Sequence, residues 1–219
     1  MKNLLLIVIG LGSSLMASAQ FTAGQKVAGG QFSFSNSKST SVSTGSITQK
    51  TTSGGISFTL SRFKNPLVLT GVGIQYGYLG TSYDNGVSLQ DTKTHQMGAF
   101  YEITKLQPLA KKLYLGFTGT AGANYTTQNT STSPNMSSKM KGYNVYLNGG
   151  MGVWYALSQR FLLIGNINNL LAINYSHGKT TSDNNPGTDI TTGNSFSLST
   201  GLNGFSLGNI GFGVRYLLK

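Results

Sequence analysis

Cysteine is missing from all 219 residues, which removes disulfides and cysteine-held metals from the options open to the chain. Charge is scarce as well: 10% of residues are charged, where about 25% is usual. Acids are the rarest, with five Asp and Glu against sixteen Lys and Arg and a formal net charge of +11. The cations are scattered along the chain and not interleaved with aromatics, which argues against a nucleic-acid surface. Histidine occurs only as His95 and His177. No His/Asp/Glu group has metal-ligand spacing, and no cofactor is expected. The glycines fall inside strand-like stretches and not between a strand and a helix, so no phosphate-cradling loop is present. Ser176 precedes His177 directly and points to the opposite face of a strand. No carboxylate is placed to orient that ring, and no catalytic residue is expected. Finally, no apolar run approaches the roughly 18 residues of a transmembrane helix.

What is present is glycine, 30 residues of it, with serine, threonine and asparagine as the main polar types. The N-terminus has its own character. Lys2 opens a short basic segment, Leu4–Leu11 is apolar, and Ala17-Ser18-Ala19 has the small-x-small form of a cleavage site. This predicts a secretory signal peptide over 1–19 and a single mature domain over 20–219.

The mature chain divides into eight stretches that alternate apolar and small polar residues with a period of two, the period of a strand. They run at about Ala23–Asn36, Thr51–Arg62, Leu67–Leu79, Thr94–Lys105, Leu113–Tyr125, Gly142–Tyr155, Arg160–Ser176 and from Ser195 to the end. Leu113–Tyr125 is the clearest case. Leu113, Leu115, Phe117, Ala121, Ala123 and Tyr125 share one face, while Tyr114, Thr118, Thr120 and Asn124 share the other. Such stretches exceed the usual strand of about 5–6 residues and suit a tilted membrane-crossing strand of about 9–11. In the seventh stretch Asn169 falls on the apolar face, so a bulge is expected near Asn168-Asn169. In the last, the apolar parity shifts twice around Gly201–Asn209.

The connections are sorted by length. After stretches one, three, five and seven they are long and polar; after two, four and six they are short turns. A soluble sandwich has no reason for this sorting, whereas an outer-membrane barrel has short periplasmic turns and long extracellular loops. Arg62, Lys64, Lys105, Lys111, Lys112, Arg160 and Lys219 lie at the short-turn end, and Asp84, Asp91, Asp183 and Asp189 lie in the long links. Aromatics gather near both ends of the apolar face: Tyr76, Tyr78, Tyr125, Tyr143 and Tyr175 at one, Tyr101, Tyr155, Phe161 and Tyr216 at the other. Two interfacial girdles would look like this. The expected fold is all-β: an eight-stranded antiparallel up-and-down transmembrane β-barrel, preceded by a cleaved signal peptide, in the cell outer membrane. A secreted soluble barrel or sandwich would turn the same rings into its core.

With eight such stretches and this ending, the chain resembles the small OmpA/OmpX-like outer-membrane β-barrels, in particular an uncharacterised barrel family of Bacteroidota. Asn209, Gly211, Val214, Tyr216 and Leu218 carry the local resemblance, in the pattern of a closing-strand signal. The resemblance implies outer-membrane lipid and the barrel-assembly machinery as partners. It departs from the family habit in ending on Leu218-Lys219 and not on an aromatic residue. A barrel of eight strands leaves a lumen just wide enough for side chains to fill. A packed, hydrogen-bonded lumen of small polar residues is therefore expected, with Tyr114, Tyr146, Trp154, Glu102 and Arg215 also facing inward. Glu102 and Arg215 are expected to pair, because a buried charge without a partner is costly. The function expected is structural or interaction-type, with Ser/Thr/Asn-rich extracellular loops and a partner the sequence does not identify. A narrow solute pathway and a secreted binding module are the alternatives.

Overall fold

A computed structural model describes residues 21–41, 47–132, 136–184, 187–200 and 210–218. The expected signal peptide, the register changes around Gly201–Asn209 and the terminal Lys219 lie outside the described residues. Among the described residues nine strands follow in order: β1 (Lys26–Ser41), β2 (Ile47–Asn65), β3 (Val68–Asp84), β4 (Leu89–Ala110), β5 (Leu113–Thr132), β6 (Met136–Ala156), β7 (Phe161–Asn184), β8 (Gly187–Thr200) and β9 (Ile210–Leu217). Each pairs antiparallel with its neighbours, and β6 also pairs with β7, so the sheet returns on itself through β7, β9 and β1.

The ring is strongly staggered. From Phe32 on β1, the pairing runs through Ile56, Tyr76, Met97, Tyr125 and Tyr143 to His177 on β7. In the other direction it passes through Phe212 and reaches Gly165, twelve residues before His177. Closing a sheet requires such a stagger, because tilted strands must climb round the axis. A register shift between Gly149 and Met151 sits opposite Leu171 and Ile167. The extra residues are on β7, at the Asn168-Asn169 segment where the bulge is expected.

Two features of the sequence reading need correction. The last stretch is divided: β8 starts at Gly187, ahead of the expected Ser195, and pairs with Leu171–Asn184 of β7, while β9 pairs with Phe161–Ile167. The polar links are also largely strand. β3 continues to Asp84 and β4 resumes at Leu89; β5 runs to Thr132 and β6 begins at Met136. Apolar alternation fades where both faces are polar, but the backbone ladder does not need it, and threonine suits a strand in any case. The tip between β3 and β4 is tight. Gly86 has φ of 79° and donates its N–H to Asp84 Oδ1 at 2.9 Å, and Asn85 Oδ1 accepts from the Ser88 N–H at 2.7 Å. The turn between β6 and β7 is held by Ser158 Oγ, which accepts from the backbone N–H groups of Arg160 and Phe161.

Alternation fixes which face looks out. Phe34, Ile74 and Phe58 are 69%, 63% and 57% exposed on the outer wall, while the inward Thr104 is fully buried. The usual arrangement of a soluble protein is inverted: apolar side chains cover the outside and polar ones line the inside. The exception lies at the short-turn end. There Phe21, Val27, Phe63, Leu69, Leu106, Leu162 and Leu217 are buried together with Tyr114 and Trp154. An apolar plug closes that end of the lumen.

Candidate functional site: the lumen

The plug begins with the segment before β1. Gly24, at φ 87°, turns the chain, and its N–H donates to the Phe63 carbonyl at 2.8 Å. This brings Phe21 inside, stacked on Phe63 with ring centroids 4.6 Å apart and tilted against Tyr114 at 5.2 Å. The remaining plug residues come from the lowest inward positions of the strands. Leu69 stands two residues before Gly71, Leu106 two after Thr104, and Leu217 two after Arg215. Their inward parity was readable in the sequence. Their convergence was not, because it depends on how far each strand is staggered against the next.

A charged layer lies on the plug. Arg215 Nη1 is 2.6 Å from Glu102 Oε1, and Nη2 donates to Glu102 Oε2 at 3.0 Å. Nη1 also donates to Ser61 Oγ at 2.9 Å, and the Ser61 hydroxyl donates to Glu102 Oε1 at 3.1 Å. The guanidinium lies over the Trp154 ring, 5.1 Å from its centroid. A two-point carboxylate–guanidinium contact fits the planar fork of arginine. Two glycines make it sterically possible. Gly29 faces Arg215 across the β1–β9 pair, and a Cβ there would lie 2.8 Å from Arg215 Cγ. Gly71 separates Ser61 from Glu102 in one pairing row, and a Cβ there would collide with the Ser61 hydroxyl. The structure thus brings together both residues named from the sequence and adds Ser61, whose role depends on register across three strands.

Above this layer the lumen is not filled. A cavity of about 660 Å³ is lined by Gln75, Asn124, Asn144, Tyr146, Asn148 and Asn166, among others. This corrects the expected packed lumen. Small inward residues such as Thr118 and Thr120 do not span the width that a twelve-residue stagger opens, and ordered pairs bridge only part of it. Gln75 Nε2 donates to Asn124 Oδ1 at 2.7 Å, and the Thr104 and Thr118 hydroxyls lie 2.9 Å apart.

The histidines stand elsewhere. His95 Nδ1 pairs with the Tyr76 hydroxyl at 2.7 Å, and His177 Nδ1 with Asn194 Oδ1 at the same distance. Asp91, four residues from His95 in the chain, is too distant to pair, since four steps along a strand cover roughly 13 Å. Among the described residues no three of His, Asp and Glu converge as a metal site. Of the closing-strand residues, Gly211, Val214 and Tyr216 lie on β9 and Leu218 just beyond it; Asn209 is outside the described residues.

No protein-family model matches the chain, and no curated protein matches it in sequence. Solved structures that resemble it include a major outer membrane protein from Thermus thermophilus, 11% identical, covering 90% of this chain and 100% of its own, with a TM-score of 0.47. Another is the outer membrane protein OprG from Pseudomonas aeruginosa, 16% identical, covering 91% and 98%, at 0.46. The outer membrane protease OmpT from Escherichia coli is 9% identical, covering 92% and 100%, at 0.41.

Proposed function

We infer that the chain is an integral outer-membrane barrel of structural or interaction type, closed to through-diffusion by its apolar plug. The observation that carries this reading is the inverted alternation. Apolar side chains cover the outer wall on strand after strand, an arrangement that only lipid would make favourable. β8 and β9 act as two halves of one wall position on the flank of β7, so the barrel has eight positions. The short turns face the periplasm and the long hairpins face outward. β9 is the strand read by the assembly machinery, through Gly211, Val214, Tyr216 and Leu218. Catalysis is not part of this reading, since both histidine rings pair with a tyrosine or asparagine and not with a carboxylate. A secreted soluble barrel is disfavoured because it would leave this apolar wall in water.

Cell fractionation combined with gel migration tests the reading. The chain should partition with the outer membrane. The folded barrel should migrate differently before and after boiling, because the closed ladder resists detergent until heated. A chain found only in soluble fractions, with the same mobility in both lanes, overturns the proposal.

A further inference from the structure

The cations are not confined to the short-turn end. Lys93, Lys139, Lys141 and Lys179 stand on the long-hairpin extensions of β4, β6 and β7, all exposed. The registers place them together. Lys179 pairs with Lys141, Lys141 with Thr127, and Thr127 with His95 in one row. In the next row toward the tips, Lys93 pairs with Asn129 and Asn129 with Lys139. Each has the parity of the outward Met97, Tyr125, Tyr143 and Tyr175, so the patch is on the outer wall and not in the lumen. The row below it is Met97, Tyr125, Tyr143 and His177. The patch therefore starts where the outer aromatic girdle ends.

Lys141 and Lys179 are opposite each other, with Cβ atoms about 4.5–5.5 Å apart in such pairs, and like charges in that position are destabilising. Asp91 and Asp183 stand one row nearer the tips on the same face, but no carboxylate lies within salt-bridge distance of any of the four lysines among the described residues. A cluster of this kind is relieved by an anion. At the level just above an aromatic girdle, the anion at hand is a lipid headgroup phosphate. Thr127 and Asn129, between the lysines, add hydrogen-bonding groups suited to sugar hydroxyls.

We propose that the outward face of β4–β7 above the aromatic girdle binds the phosphorylated headgroup of an outer-leaflet glycolipid, with Lys141 and Lys179 holding one phosphate and Lys93 and Lys139 a second. This rests on the outer-membrane reading above, which fixes the headgroup level. The test uses the full mature barrel folded in neutral detergent, titrated with bisphosphorylated lipid A or with its dephosphorylated form and read by native mass spectrometry. The phosphorylated form should bind and the dephosphorylated form should not. K141Q/K179Q should weaken binding about thirtyfold, the change expected from losing two cations near a charged surface. K93Q/K139Q should weaken it in the same direction. K64Q/K112Q, which removes two charges at the other end, should leave it unchanged. Equal binding of both lipid forms, or undiminished binding by both hairpin variants, overturns the proposal. Heat-modifiable migration of each sample is followed alongside, so a failure of the barrel reading is seen separately from a failure of lipid binding.

Discussion

Glu102 and Arg215 are 4% and 2% exposed, and neither charge would be tolerated in that position alone. Their attraction offsets the loss of water only because two guanidinium nitrogens and the Ser61 hydroxyl meet the carboxylate. Removing one partner leaves the other buried and uncompensated, at a cost of about 3–5 kcal/mol. Glu102→Gln should therefore lower the thermal midpoint of the folded band markedly. In an Arg215→Gln background the same substitution should cost clearly less, since no stranded cation remains. Equal losses in both backgrounds would mean that the two charges are solvated independently. Period two was enough to put both side chains on the inner face from sequence. The contribution of Gly29 and Gly71 was not legible, because it lies in the side chains that these positions lack and in registers no single strand encodes.

At the scale of the element, β5 carries the alternation furthest. Phe117 is 48% exposed on its outer face, whereas Thr118 faces inward and bonds Thr104. A lysine on a lipid-facing wall costs about 2–4 kcal/mol at the midplane and less near the interfaces; Phe117, paired with Lys105, stands between the two, while a lysine at Thr118 enters the polar-lined cavity. Phe117→Lys should thus reduce the folded fraction more than Thr118→Lys, as read by urea titration of the heat-modifiable band in lipid vesicles. The opposite order would place the apolar face inside. The strand interiors were legible for the same reason that this prediction can be made, since one face is apolar and the other polar. Beyond Tyr125 that contrast ends. Thr126–Thr132 remains in the ladder although its residues, polar on both faces, carry no periodic signal.

At the scale of the whole molecule, the staggered ring and the plug act against each other. The stagger opens a cavity of about 660 Å³, and taken alone this would favour the solute-pathway alternative. The floor argues the other way. Eleven buried residues, from Phe21 through Trp154 to Leu217, fill the short-turn end. An ion crossing that layer would shed its hydration among side chains that are apolar apart from the Tyr114 hydroxyl and the Trp154 N–H, and hydrophobic constrictions of this kind stop conduction by dewetting. Phe21 reaches the layer from outside the strands and stacks on Phe63. Truncating it leaves a void among side chains that stay in place, a change that costs about 3–5 kcal/mol for buried phenylalanines. Phe21→Ala should therefore lower thermal stability substantially without opening a pathway, because Leu106, Leu162 and Leu217 still occupy the floor. In planar bilayers neither the native barrel nor this variant should give a steady conductance. A stable, large conductance from the native barrel would show that the plug is not a barrier and would make the cavity part of a pore.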